Sequence, residues 1–123
     1  MFLEQNNKAS FSIEQIAEVA HGANRAFCIS TGDNSQVEWK DAPEWQKKSA
    51  VEGVQFVIDN FDTVTPSLIY TNWAKSKIAD GWVYGPEKDA DKRTHPCLAG
   101  CEHLPKDQIQ KDFLFIAVVK SFF

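Results

Sequence analysis

Apolar residues recur at helical spacing in four stretches of the chain, with polar breaks between them. Ser12-Ile13-Glu14-Gln15 reads as a capping box, in which Ser12 accepts a backbone N–H and Gln15 reaches back. Ile13, Ile16, Ala17, Ala20, Phe27 and Cys28 follow on one face, so a first helix is predicted over 13–30, stopping near Gly32. Thr31 to Lys40 is a polar loop. Asp41-Ala42-Pro43-Glu44 opens a second helix, with Asp41 as N-cap, Pro43 in the first turn and Glu44 at the capping acid position. Its face is Ala50, Val54, Val57, Ile58 and Phe61, and its end lies near Asn60.

Thr65-Pro66 opens a third helix, with Leu68, Ile69, Trp73 and Ile78 as its apolar positions and Gly81 just past its end. Trp82 to Gly85 is too short for a helix and reads as a small strand or extended turn. Pro86 to Pro105 is charged and irregular, and a stretch of that length without clear elements is usually functional. A last helix is predicted over 106–121, with Ile109, Phe113, Ile116 and Ala117 on one face. Leu114, Phe115, Val118 and Val119 fill much of the rest, and Phe122-Phe123 follow. A helix apolar nearly all round is central or shared, so a homo-oligomeric contact through it is expected. The fold class read from this pattern is mainly α. Residues 12–123 form a compact single domain of four helices with a short extended segment at Trp82–Gly85, and residues 1–11 form a flexible N-terminus.

Composition sharpens this picture. At 123 residues, 43% apolar and 24% charged, the chain suits one folded domain and not a disordered one. Its net charge of −4 argues against a nucleic-acid partner, which needs a basic excess, but leaves room for a small anion held by a few local cations. The N-terminal residues have no basic, apolar signal pattern, and no window is long enough to span a membrane. Cys28, Cys97 and Cys101 are odd in number and are expected to be free thiols in a reducing cytoplasm.

The densest chemistry lies between Gly81 and Leu98, which holds Trp82, Tyr84, Lys88, Lys92, Arg93, Thr94 and His95. Aromatic faces stack on a purine and cations hold phosphate oxygens, so this is the make-up of a nucleotide-sized site. It is equally the make-up of a folded loop with aromatic plugs and solvated charges. His95, Cys97, Cys101 and His103 form a zinc ligand set, but they are crowded into nine residues where structural sites place pairs far apart, so no metal is expected. Cys97 and His95 lack a third orienting group for nucleophilic catalysis, and there is no phosphate loop, dinucleotide fingerprint or HExxH. His21, Asn24 and Arg25 share a face of the first helix and read first as a satisfied polar face. Trp45, one turn into the second helix, is core or a lid.

The pattern Trp73-Ala74, Ile78, Gly81-Trp82-x-Tyr84-Gly85-Pro86, Asp89, Lys92-Arg93 and His95-Pro96-Cys97-Leu98, closed by Leu104-Pro105, resembles the RyR domain. This module is repeated in ryanodine receptor calcium channels and stands alone in bacterial and phage proteins. Ile16-Ala17, His21, Asn24-Arg25, Asp41 to Trp45 and Lys111 to Ala117 look like the free-standing versions. Gly100 and Cys101 depart from the family's Pro and aromatic, which removes a ring from the neighbourhood. The resemblance implies binding of adenine nucleotides or nucleotide-derived signals, not catalysis, and no cofactor. Carried over, it makes Trp73 and Trp82 the stacking pair and Tyr84 a pocket wall. It turns Lys88, Arg93 and His95 towards phosphates, with Arg25 as a helper. The expected function is therefore a non-catalytic binder that sequesters a nucleotide-like signal. A protein-interaction module carried by the apolar last helix is the alternative, and a nucleotide hydrolase is disfavoured for want of an acidic metal cluster or a credible base.

Overall fold

The computed structural model describes residues 11–100 and 105–123. Four helices form the body: α1 (Ile13–Ser30), α2 (Glu44–Asp59), α3 (Pro66–Ala79) and α4 (Lys106–Lys120). Between α3 and α4 lie two short strands, β1 (Val83–Tyr84) and β2 (Thr94–His95), and a 3-10 turn at Pro96–Ala99. The strands pair in parallel, Val83 with Thr94 and Tyr84 with His95. The mainly α expectation holds, and three helix starts follow the predicted chemistry. Ser12 and Gln15 close a complete capping box on α1. Thr65 accepts the Leu68 N–H with Pro66 in the first turn of α3. Pro105 immediately precedes α4.

Asp41 is not the N-cap of α2. It ends a separate 3-10 turn, Trp39–Asp41, and Pro43 occupies the capping position without a side-chain bond. The cause is local: a residue before proline is pushed out of the helical region, and Ala42 lies extended at ψ 142. The chain therefore breaks between the two turns and α2 begins at Glu44.

The core joins α1, α2 and α4. Ile16 and Ala17, Val54 and Val57, and Ile116 and Val119 are buried against one another. Gly53 lets α2 approach α4, since a Cβ there would lie 3.1 Å from the Phe115 ring. Phe122 and Phe123 turn back onto this core. Phe122 meets Phe11 edge-on at 5.0 Å, and Phe123 meets Phe61 at 6.1 Å. Both terminal rings thus pack within their own chain. Phe113, predicted on the inner face of α4, is 58% exposed.

The third helix breaks the expected pattern. Of its predicted apolar positions, Ile69 packs on the core, whereas Leu68 and Ile78 face solvent. The buried residues of α3 are Tyr70 and Lys77. Burying a lysine in place of an available isoleucine means that the inner side of α3 faces something other than the apolar core. Among the described residues no helix is long and apolar enough to cross a membrane.

Val54 is fully buried between α1, α2 and α4. Val54→Ala is expected to lower stability by about 2 kcal/mol through lost transfer energy and a residual cavity. Phe113→Ala, on the exposed side of α4, is expected to cost no more than about 0.5 kcal/mol. Urea denaturation of the two variants checks the ranking.

Candidate functional site

A cavity of about 310 Å³ opens beside the core, where all four helices and the β1–β2 segment meet. Its apolar floor includes Ala50, Ile69 and Phe115. Its walls carry Trp45 from α2, Trp73 and Lys77 from α3, Trp82, Lys88 and His95 from the segment after α3, and Lys111 and Asp112 from α4.

The end of α3 builds the aromatic wall. Gly81 adopts φ +91, and its N–H donates to the Ile78 carbonyl at 3.0 Å. The Trp82 N–H donates to the Lys77 carbonyl at 2.9 Å. This paired cap is the Schellman arrangement, which sets the side chain three residues past the helix against the one at its third-last position. Here that contact is an indole on an ammonium: Lys77 Nζ lies 5.0 Å from the centre of the Trp82 ring. Trp45 closes the other side at 4.8 Å, and the two indoles are 5.8 Å apart.

Lys77 is 6% exposed, and among the described residues its ammonium has no hydrogen bond and no carboxylate within ion-pair distance. Two cation–π contacts offer about 2 kcal/mol each when desolvated. Removing an ammonium from water costs several kcal/mol. Desolvation prevails, and burial pushes the Lys77 amine below its ordinary value of 10.5, with Asp80 opposing and Lys88 assisting. Lys88 brings its own ammonium to 5.6 Å from Trp45, and is lowered by loss of water and then by Lys111.

His95 is held as a neutral imidazole. Its Nδ1 accepts the Cys97 N–H at 3.1 Å, which leaves the proton on Nε2. Burial, then Lys88 and Lys77, push it from 6.5 to about 4. Its ring meets Trp73 edge-on at 4.9 Å and lies 6.4 Å from Trp82. Tyr70 fixes this loop to α3, donating to the Cys97 carbonyl at 2.7 Å and accepting the Gly100 N–H at 3.2 Å. Burial raises the Cys97 thiol above its ordinary value. Burial also lifts Asp112 to about 6, although Gln108 donates to its carboxylate at 3.2 Å.

The residues assigned from sequence divide into two groups. Trp73, Trp82, Lys88 and His95 line the cavity. Trp73 and Trp82 are not a facing pair, however; His95 stands beside both rings, and the neighbour of Trp82 across the ammonium is Trp45. Tyr84, Arg93 and Arg25 do not line it. Tyr84 is 57% exposed and borders a separate shallow groove with Pro96 and Leu98. Arg93 adopts φ 57 and donates from its guanidinium to the Asp80 carbonyl, so it caps α3. Arg25 donates to the Gln36 carbonyl at 3.3 Å and fixes the loop after α1. Both guanidiniums are engaged by backbone carbonyls of the scaffold.

Lys77 is the residue that sequence reasoning missed. Its signal was present in the spacing: Tyr70, Trp73 and Lys77 fall on one side of α3, three and four residues apart. Of the proposed zinc ligands, Cys101 and His103 lie outside the described residues, as do residues 1–10 of the N-terminal segment. Among the described residues no group of three or more His, Cys, Asp or Glu could hold a metal.

His95 and Asp112 pull stability in opposite directions with pH. The unfolded histidine binds a proton between its ordinary 6.5 and the folded value of about 4. Its contribution is therefore complete above 6.5 and is lost as pH falls to about 4. Asp112 holds a proton in the fold that the unfolded chain releases, so its contribution is complete below 3.8 and is lost as pH rises through about 6. Relative to the parent chain, Asp112→Asn is expected to gain stability progressively from pH 4 to 6, and His95→Gln to lose it over the same interval. Urea unfolding at several pH values reads both slopes, and slopes of the same sign would contradict this arrangement.

Comparison with known families places this geometry. The model of the RyR domain matches residues 59–117, from the end of α2 through α3, both strands and most of α4. The matched segment supplies Trp73, Lys77, Trp82, Lys88 and His95, while Trp45 and the α1 wall come from outside it. The chain contains an RyR domain, residues 59–117, whose cavity is completed by the two helices that precede it.

Proposed function

We propose that this cavity binds a nucleotide-derived small molecule, an adenine nucleotide or a cyclic ADP-ribose-like signal, and holds it without turnover. The observation that carries the reading is the meeting of three indoles, the buried ammonium of Lys77 and the ammonium of Lys88 on one concave surface. Ligand pockets are mostly apolar with a few convergent polar groups, and about 300 Å³ is the lower end of their usual size. A planar base stacks on Trp45 or Trp82, and Lys88 offers its ammonium to a phosphate. His95 offers an Nε2–H donor. Tyr84, Arg93 and Arg25 have no part in this reading.

Two features favour retention over reaction. The Cys97 thiol is pushed towards its protonated, unreactive form. His95 is depressed far below neutrality and has Nδ1 committed to the backbone, which makes it a weak base. A protein that binds tightly and does not turn over depletes a signal, which suits sequestration in the conflict between phage and bacterial immunity. The competing reading is self-association through α4. It now rests on Phe113 as its exposed ring, because Phe122 and Phe123 pack on their own core.

Trp45→Ala and Trp82→Ala are each expected to weaken adenine-nucleotide binding by about tenfold to a hundredfold, the worth of one stacked base. Calorimetry on variants whose circular dichroism is unchanged provides the test. Trp45 is the cleaner site, because its ring is partly exposed whereas Trp82 is buried. Parental affinity in Trp45→Ala would remove the stacking role. Mass spectrometry of heat-released ligand is expected to return the nucleotide intact, and recovery of a cleaved product would contradict retention.

A further inference from the structure

Lys77 has a chemistry that phosphate binding does not use. Its Nζ is enclosed by the Trp45 and Trp82 rings, lines the cavity, and among the described residues has neither a hydrogen bond nor a carboxylate partner. An exposed lysine is strongly hydrated and protonated, and is a poor nucleophile. A lysine in an apolar pocket beside a second cation is the arrangement that favours the free amine over the ammonium. Lys77 has both features, with the indoles as pocket and Lys88 as the second cation acting on it. Asp80 and Glu52 oppose by attracting its charge, and Lys48 assists.

We propose that the Lys77 amine captures an aldehyde that carries a phosphate, by forming a reversible imine inside the cavity. Nζ attacks the carbonyl carbon, a C–N bond forms, and the carbonyl oxygen becomes a hydroxyl by taking one amine hydrogen. The C–O bond then breaks, and the oxygen leaves as water with the second hydrogen. The C=N bond remains, with no oxidant or reductant consumed. Lys88 supplies the charge that draws the phosphate into the cavity. The inference rests on the reading that the cavity takes anionic, nucleotide-sized molecules. It extends that class to nucleotide-derived molecules with a free reducing end, such as an adenosine diphosphate whose terminal ribose carries no base. A nucleotide whose ribose carbon is joined to its base has no aldehyde to offer.

Pyridoxal 5′-phosphate, an aldehyde and a phosphate in one planar ring, is a direct probe. The full chain is mixed with it at neutral pH, reduced with borohydride to fix any imine, and mapped by peptide mass spectrometry. One adduct per chain is expected on Lys77, forming ahead of adducts at every other lysine, because its amine is the one enclosed by two indoles beside a second cation. Lys77→Arg keeps the charge and cannot form the imine, so its adduct is expected to disappear. Mapping on the parent chain needs no variant, which keeps the test decisive if Lys77→Arg does not fold. Labelling of Lys88 or of surface lysines in preference to Lys77, or no labelling, overturns the proposal. Adenine-nucleotide calorimetry on the same preparation separates the two readings. Nucleotide binding without a Lys77 adduct defeats the amine alone, and an adduct without nucleotide binding defeats the nucleotide reading alone.

Discussion

The buried ammonium of Lys77 is the constraint around which the upper half of the domain is arranged. A charge taken out of water needs compensation, and here the compensation is aromatic. Trp45 reaches it from α2, and Trp82 reaches it because the cap on α3 turns the chain back through Gly81. The same turn sets the direction of β1, whose pairing with β2 delivers His95 to the cavity. One side chain therefore ties together a helix end, a neighbouring helix and the strand pair. Replacing it by an apolar residue would fill the space better and would leave a cavity with one cation fewer.

The helices were legible in the sequence because their determinants are local. Ser12 with Gln15, Thr65 with Pro66, and Gly81 each act within one turn, and each acts as expected. Asp41 failed as a cap because two signals competed at the same place. An acceptor side chain favoured an early start, while Pro43 forced its predecessor to be extended, and the steric term won. The inner face of α3 was not legible for a different reason. Reading by hydrophobic period assumes that the buried side of a helix packs on the apolar core, and this helix faces a cavity lined by rings and cations. That assumption places Leu68 and Ile78 in the core and passes over Lys77.

The irregular stretch from Gly81 to Leu98 shows how far residue type can mislead about role. Its cations and rings invited a ligand for each of them, yet several are scaffolding. Gly85 has no room for a Cβ, which would sit 2.5 Å from that of Thr94. Asp89 accepts the N–H groups of Asp91 and Lys92 and bridges to Thr94 through the backbone. Arg93, in a left-handed conformation, covers the end of α3. These residues hold the loop in one shape. The contacts available to a ligand come from fewer positions, Trp82, Lys88 and His95, joined by Trp73 and Lys77 from the helix before them. A motif can be specific to a family because its loop is hard to build, without every member of it touching what the loop binds.

Charge decides which ligands such a cavity favours. The chain carries a net −4, so from a distance it repels anions. That field is screened over about 8 Å at physiological ionic strength, whereas Lys77, Lys88 and Lys111 lie on the cavity itself. Asp112, the carboxylate facing them from α4, is partly neutralised because burial lifts it to about 6. Glu52 also lines the cavity, but it pairs with Lys48 at 3.9 Å, which reduces its claim on the cavity cations. Close to the indoles the three ammonium groups therefore outnumber the two carboxylates, Glu52 and Asp112, even though the surface is acidic. An anion that reaches the cavity exchanges part of its water for these ammonium groups, of which Lys77 is buried. A ligand with a flat face and a compact negative end meets both parts of the wall at once. A bare phosphate leaves the rings unused, and a bare base leaves the cations uncompensated.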